Sequence, residues 1–300
     1  MASNKIIENE AMLTEVVKEA FDRTGNPRLK EIVEAFVDHA HAFVREINLT
    51  EEEFDLGLRF IAAIGQANTD VHNEAVLAAD VLGISTLVSL RNNPQDLGQT
   101  AAALLGPFWR LNAPKCENGE SIARSATPGQ TLFVSGQVKN IEGHPIAGAQ
   151  VDVWQASPVG LYENQDPQQD EMNLRGLFST DADGRYHFRT VRPAGYPVPT
   201  HGPVGVLLKA QNRHPYRPAH IHFMVSAPGH KTMTTQVFMD DPEKLASDVV
   251  FGVTKSLVAN LKKHSHFDPL PTGATLPVYT LEYDFTLNKG EQTFPEPPIK

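Results

Sequence analysis

The apolar positions change their period about a third of the way along the chain. In the first hundred residues they recur at three- and four-residue steps, the spacing of one helix face. Residues 8–21 read as a short helix. Asn26 and Pro27 mark the start of a longer one, Asn26 as its cap and Pro27 in its first turn. Ile32, Phe36, Ala40, Phe43 and Ile47 form its apolar face. Thr50-Glu51-Glu52-Glu53 is a capping box opening a third helix, and Phe54, Leu58, Ile61 and Ile64 are the stripe expected to be buried. Shorter helical pieces follow, until Asn92-Asn93-Pro94 breaks the pattern.

From about residue 128 the period becomes two. The alternation predicts strands over 132–138, 149–154, 185–191, 204–209, 220–226, 234–238 and 281–287, separated by turns such as Glu142-Gly143 and Asp183-Gly184. Residues 244–263 read as a helix interrupting the strands. The fold class is therefore α+β. A helical domain over 1–105 precedes an antiparallel β-sandwich catalytic core over 106–300.

Composition narrows the functional classes. The net charge of the 300 residues is -10, from 36 acids against 26 bases, and no basic run stands out. Neither nucleic acid nor an anionic membrane surface is an expected partner. No stretch reaches the roughly 20 apolar residues that span a bilayer, and the N-terminus lacks an apolar signal core, so a cytoplasmic protein is expected. Cys116 is the only cysteine, which excludes an intrachain disulfide and a thiolate metal cage.

Chemistry concentrates in His214-Pro215-Tyr216-Arg217-Pro218-Ala219-His220-Ile221-His222-Phe223. His220 and His222 are two apart in a strand pattern, so their imidazoles leave one face while Ile221, Phe223 and Val225 take the other. Two imidazoles on a rigid face are half of a metal site, although a polar sheet face with two hydrogen-bonded histidines has the same spacing. Without cysteine the other donors must be oxygen or nitrogen. Two tyrosines near turns, Tyr162 and Tyr196, are candidates. A phenol with a pKa near 10 needs strong help to ionise, and a trivalent cation provides it. Each tyrosine alone reads better as an ordinary half-buried ring.

Five runs together resemble the intradiol ring-cleaving dioxygenases: residues 148–156, Gly160-Leu161-Tyr162, Asn173-Leu174-Arg175-Gly176, residues 190–199, and Arg217-Pro218-Ala219-His220-Ile221-His222-Phe223. The resemblance spans nearly the whole chain, with the motifs in the family's order. It implies that Tyr162, Tyr196, His220 and His222 bind Fe(3+), with Tyr196 the tyrosinate displaced by the substrate diol. It gives Arg217 the stabilisation of negative charge on the ring and places Gln236 near the substrate and Arg217. It also implies O2 and a small aromatic diol or triol as substrates, and a homodimer joined through the helices around an apolar tunnel able to hold lipid.

Leu77, Phe108, Val249 and Val250 match positions that line the family's pocket. Gly106-Pro107-Phe108-Trp109-Arg110 looks more like the branch acting on hydroxyquinol (benzene-1,2,4-triol) than the catechol branch. Asp80, if it faces the pocket, can accept a hydrogen bond from a third ring hydroxyl; its other reading is a helix cap before Val81. Three alternatives compete: a catechol or chlorocatechol enzyme of the same chemistry, a transthyretin-like binding module, and a zinc hydrolase built on the two histidines. The last lacks a third histidine or carboxylate at sensible spacing.

Overall fold

The structure is a computed structural model that describes residues 5–69, 72–96, 98–270 and 274–298. The chain forms two compact units, Met1–Ala62 and Ala63–Lys300. The packing boundary thus falls earlier than the change from helix to strand near residue 105, because the later helices pack with the sandwich-bearing unit.

The first unit contains helices α1 (Leu13–Ala20), α2 (Pro27–Glu46) and most of α3 (Glu51–Gln66). Asn26 caps α2 by accepting from the backbone N–H groups of Arg28 and Leu29 at 3.0 and 3.1 Å. Thr50 and Glu53 form the reciprocal capping box, with the Thr50 N–H donating to Glu53 and the Glu53 N–H donating to Thr50. The stripe expected to be buried on α3 is instead largely exposed. Phe54, Leu58 and Ile61 face solvent, Ile61 at 66%, as does Phe36 of α2 at 71%. The helical period is as expected, but within a single chain these apolar faces are uncovered.

The second unit begins with α4 (Glu74–Val81), capped by Asn73, and α5 (Ile84–Asn92). Its core is a sandwich of two sheets. One is built on β1 (Thr131–Asn140), paired antiparallel with β4 (Arg185–Val191) and parallel with β10 (Val278–Glu282) and β11 (Phe285–Leu287); β9 (Lys262–His264) joins β10. The other is antiparallel and ordered β3 (Arg175–Ser179), β2 (Gln150–Gln155), β7 (His220–Ser226), β8 (Met233–Phe238). The sandwich is therefore mixed in one layer and antiparallel in the other. A two-residue ribbon of β5 (Tyr196–Pro197) and β6 (Tyr216–Arg217) stands apart.

Leu132 and Val134 of β1, Phe188 of β4, and Ile221, Phe223 and Val225 of β7 meet between the sheets. Each large apolar side chain buried there contributes about 1.5–3 kcal/mol relative to exposure. The last expected strand is split after Glu282. There the Asp284 carboxylate, rather than a backbone carbonyl, accepts from the Gln137 N–H at 2.8 Å.

Two elements differ in kind from the sequence reading. Residues 204–209, expected as a strand, lie in helix α6 (Pro203–Ala210). Pro203 opens it, Val204 and Leu208 bury one face, and Val206 is 68% exposed. The short apolar run was ambiguous between the two periods, and the proline at the first helical position decides it. The Glu74 carboxylate accepts from the Val204 N–H at 2.8 Å and fastens α4 to α6. Residues 244–263, expected as a helix, contain only the end of α7 (Pro242–Ala246), a short turn at Lys255–Leu257 and the start of β9. Asp248 draws the intervening chain into a loop by accepting from the Gly252 N–H at 2.9 Å. Among the described residues, no helix is long and apolar enough to cross a membrane.

Gly136 is the tightest point of the sandwich. A Cβ there would lie 1.8 Å from the Tyr283 carbonyl oxygen and 2.9 Å from the Tyr186 ring, whose hydroxyl donates to that same carbonyl. Gly136→Ala should therefore cost about 2 kcal/mol or more, a fall of several degrees in melting temperature by calorimetry. An unchanged melting temperature would contradict this packing.

Candidate metal centre and active site

Strand β7 is buried along its whole length, on both faces. Its core face carries the apolar side chains, and its other face carries His220 and His222 as the two-residue spacing requires. Tyr162 follows β2 through a tight turn in which the Gly160 N–H donates to the Ser157 carbonyl. Tyr196 comes from the β5–β6 ribbon. The four rings close into one cluster. Centroid separations are 5.7 Å for Tyr162–Tyr196, 5.5 Å for Tyr196–His220, 4.7 Å for His220–His222 and 6.3 Å for Tyr162–His222.

The imidazole Nε2 atoms lie 3.1 Å apart. Two nitrogens bound at right angles to one first-row cation, each at about 2.1 Å, would be separated by about 3 Å. The His220 Nδ1–H donates to the Pro218 carbonyl at 2.7 Å, a tautomer assigned from that acceptor, which leaves Nε2 as a lone pair facing the cluster. Trp154 stacks on the His222 ring at 4.8 Å. Gly106, with φ +74°, closes on His222 so tightly that a Cβ would sit 3.0 Å from its Cε1.

Electrostatics favour neutral imidazoles and a protonated Tyr162 phenol until a cation arrives. Burial, then the Arg217 charge, pushes His220 down to about 3. Burial, then His220 and Arg217, holds His222 well below its ordinary value. Burial, reinforced by Tyr196, raises the Tyr162 phenol well above 10. The Tyr162 hydroxyl is buried without a hydrogen-bond partner of normal geometry, although Tyr196 is close enough to act on it. Such an orphan costs about 1–3 kcal/mol. Two adjacent imidazole nitrogens and an unsatisfied phenol in one buried cluster fit a cation that accepts nitrogen and hard oxygen donors.

Arg217 is the cross-strand partner of Tyr196 in the ribbon and is only 5% exposed. Its Nε and Nη2 donate to the two oxygens of Asp248 at 3.1 Å each, Nη2 also donates to Gln236 Oε1 at 2.8 Å, and Nη1 lies 3.4 Å from His220 Nε2. Burial disfavours its charge, but the Asp248 carboxylate and the tyrosines outweigh that, so Arg217 remains a cation. Gln236, opposite His222 in the β7–β8 ladder, is fully buried rather than solvated. Its Nε2 donates to the Leu104 carbonyl at 2.6 Å.

The remaining predicted residues fall into two patches. Leu77, Val249 and Val250 share an apolar cluster with Val198, and Leu104 packs against it. Phe108 packs against the cluster of Tyr162, Tyr196 and Trp154, with its ring stacked on Tyr162 at 4.2 Å. Asp80 lies in the last turn of α4, which Asn73 caps, so it does not cap that helix. Its half-buried carboxyl bonds to Ser85 and senses both Arg217 and Asp248; burial raises its pKa.

Asp248 was missed in the sequence because residues 244–263 were read as a helix. The available signal was an acid embedded in Asp248-Val249-Val250-Phe251, where a buried carboxylate demands a cation. A cavity of about 910 Å³ lies against the ribbon, lined by Arg192, Gly195, His214, Arg217 and Lys244 among others. It reaches Arg217, but none of the four clustered rings lines it.

Comparison with known proteins agrees with the architecture. A family model described as Dioxygenase matches residues 104–289, and one described as Catechol dioxygenase N terminus matches residues 26–100. Catechol 1,2-dioxygenase of Candida albicans is 40% identical over 91% of each chain. A 6-chlorohydroxyquinol 1,2-dioxygenase of Cupriavidus pinatubonensis is 40% identical over 92% of this chain and 96% of that one. The crystal structure of hydroxyquinol 1,2-dioxygenase from Pseudomonas putida DLL-E4 superposes with a TM-score of 0.87 at 39% identity, covering 93% of this chain and 98% of that one. Fold and sequence together define a dioxygenase. The chain belongs to the intradiol ring-cleavage dioxygenase family.

Truncating Asp248 leaves a buried guanidinium without its counter-charge, which typically costs about 3–5 kcal/mol. Asp248→Ala should lower the melting temperature by about 10 °C, while Glu243→Ala, at an exposed position, should leave it within about 1 °C. Equal, small shifts would show that Asp248 does not secure Arg217.

Proposed function

We propose that this enzyme opens hydroxyquinol between its adjacent hydroxylated carbons with O2, giving 3-hydroxy-cis,cis-muconate, a tautomer of maleylacetate. Tyr162, Tyr196, His220 and His222 hold a ferric ion in this reading. The observation that carries the substrate assignment is Asp80, a half-buried carboxyl within electrostatic reach of Arg217, beside the apolar patch of Leu77, Val249 and Val250. Relatives named for catechol and for 6-chlorohydroxyquinol are equally similar at 40%, but the solved hydroxyquinol enzyme is 39% identical and a solved catechol enzyme of Pseudomonas arvilla only 29%, which supports this reading.

The bound ferric ion would stabilise both phenolates and draw electron density from a chelated diol, making the ring itself reactive toward O2. The chain's own groups do the rest. Tyr162 is enclosed, 1% exposed, between Phe108 and the imidazoles; Tyr196, at 8%, sits on a two-residue ribbon. With iron bound, Tyr196 would be the phenolate that yields to the substrate and takes a proton from an incoming ring hydroxyl, the role the family resemblance gives it. Arg217, fixed by Asp248 and Gln236, keeps a positive charge at the edge of the cluster, where negative charge develops on the ring carbon. Leu77, Phe108, Val249 and Val250 exclude water, which strengthens that interaction. Asp80 accepts the hydrogen bond of the third hydroxyl, and a polar partner of that kind discriminates against a diol lacking it.

The exposed apolar faces of α2 and α3 support a homodimer formed through the first unit, and the family resemblance adds a bound lipid chain there. A chain with one thiol, Cys116, suits a cytoplasmic catabolic enzyme.

Oxygen uptake by iron-loaded protein, corrected for autoxidation, should be at least about tenfold faster on hydroxyquinol than on catechol at limiting substrate. Asp80→Ala should reduce hydroxyquinol turnover about thirtyfold or more and catechol turnover far less. A preference for catechol would discard the substrate assignment. Colourless protein lacking uptake on either substrate would discard the ferric site.

A further inference from the structure

A buried ion pair behind the pocket wall has no part in the reading above. Arg175, on β3, is 2% exposed. Its Nε donates to Glu163 Oε1 at 2.8 Å, and its Nη1 donates to the Phe108 carbonyl at 2.6 Å. Glu163 is the residue after Tyr162, and the same Oε1 accepts from Arg110 Nη1 at 3.0 Å. One guanidinium therefore joins the backbone of the wall residue Phe108 to the chain segment that carries Tyr162.

Two features argue against stability alone as the reason for this pair. Burying two charges is costly, and a well-packed apolar pair of similar volume is often as stable or more so. The pair is also imperfectly satisfied, since Arg175 Nη2 and Glu163 Oε2 are buried without partners. What the pair does fix is geometry. The Phe108 ring lies 4.2 Å from the Tyr162 ring at 24°, and it packs edge-on to Tyr196 at 6.5 Å. The loop is tethered independently on both sides of Phe108: Gln236 donates to the Leu104 carbonyl at 2.6 Å, and Trp109 Nε1 donates to Asp152 at 3.0 Å. Loss of the Arg175 contact would then release Phe108 without detaching the loop.

We propose that the Arg175–Glu163 pair is a positioning device that sets the stacking of Phe108 on Tyr162 and thereby the choice between triol and diol substrates. The inference rests on the reading of Tyr162 as an iron ligand and Phe108 as pocket wall. Arg175 touches neither substrate nor cation and acts through those two residues.

The test uses full-length, iron-loaded protein in four forms: native, the double variant Glu163→Gln with Arg175→Met, Phe108→Leu, and all three changes combined. The readouts are the maximum of the tyrosinate-to-iron charge-transfer band and the hydroxyquinol-to-catechol ratio of kcat/KM. The double variant should shift the band and lower the ratio at least about tenfold. Phe108→Leu should do the same, and the combined variant should change the ratio little beyond either parent, because both act through one contact. Arg175→Lys, which keeps the charge but loses the fork, provides the same readouts if the double variant does not fold. A lowered melting temperature with band and ratio unchanged in these variants overturns the proposal and leaves the pair purely structural. Native protein without the band overturns the ferric-site reading itself, and this inference with it, so the two failures are told apart by the native control.

Discussion

The site depends on one constraint: two imidazoles are held on a strand that has no wet face. β7 is covered on one side by the sandwich core and on the other by Trp154, Gly106 and the tyrosines. Desolvation keeps both rings neutral, because a buried imidazolium beside Arg217 is heavily disfavoured. With the two Nε2 atoms 3.1 Å apart, the neutral rings either share one proton in a hydrogen bond or turn both lone pairs to a common cation. The same desolvation leaves the Tyr162 hydroxyl unsatisfied. Burial, rather than any charge of their own, is what suits these groups to holding a cation.

Around this point the chain arranges its charges in pairs that are buried and directional. Arg217 is gripped by both oxygens of Asp248, and Arg175 by Glu163. A forked guanidinium fixes orientation as well as charge, which lysine does not. Asp248 also takes the Gly252 N–H, so the loop that supplies Val249 and Val250 shares its anchor with Arg217, the arginine beside His220. The loops carrying Phe108 and Val249–Val250 are fastened in this way, one to β3 through Arg175 and the other to the ribbon through Arg217.

Much of this was legible in the sequence where a local rule decides. The Asn26 cap, the Thr50–Glu53 box and the alternation of β7 follow from residue type and spacing, and the motifs around Tyr162, Tyr196 and His220 pointed to the four rings that the fold brings together. The failures have physical reasons. Residues 204–209 form too short an apolar run to separate the two periods, and tertiary packing through Glu74 favours the helix. The parallel pairing of β1 with β10 and β11 joins segments more than a hundred residues apart, which local pattern cannot show. Asp248 leaves only the weak signal of an acid beside two valines, because its partner Arg217 is near it in space and not in sequence. The stripe on α3 was read correctly as apolar, but sequence alone does not say whether its cover comes from the same chain.

The two-sided burial of β7 also bears on how the enzyme tolerates change. In an ordinary half-buried strand every second position drifts freely, so a map of tolerated substitutions along it is striped. In β7 the core residues are constrained by volume and the alternate residues by the chemistry and packing of the cluster. Its map should be an unbroken block of intolerance from His220 to Ser226, and variation that retunes the enzyme must enter through the loops around it.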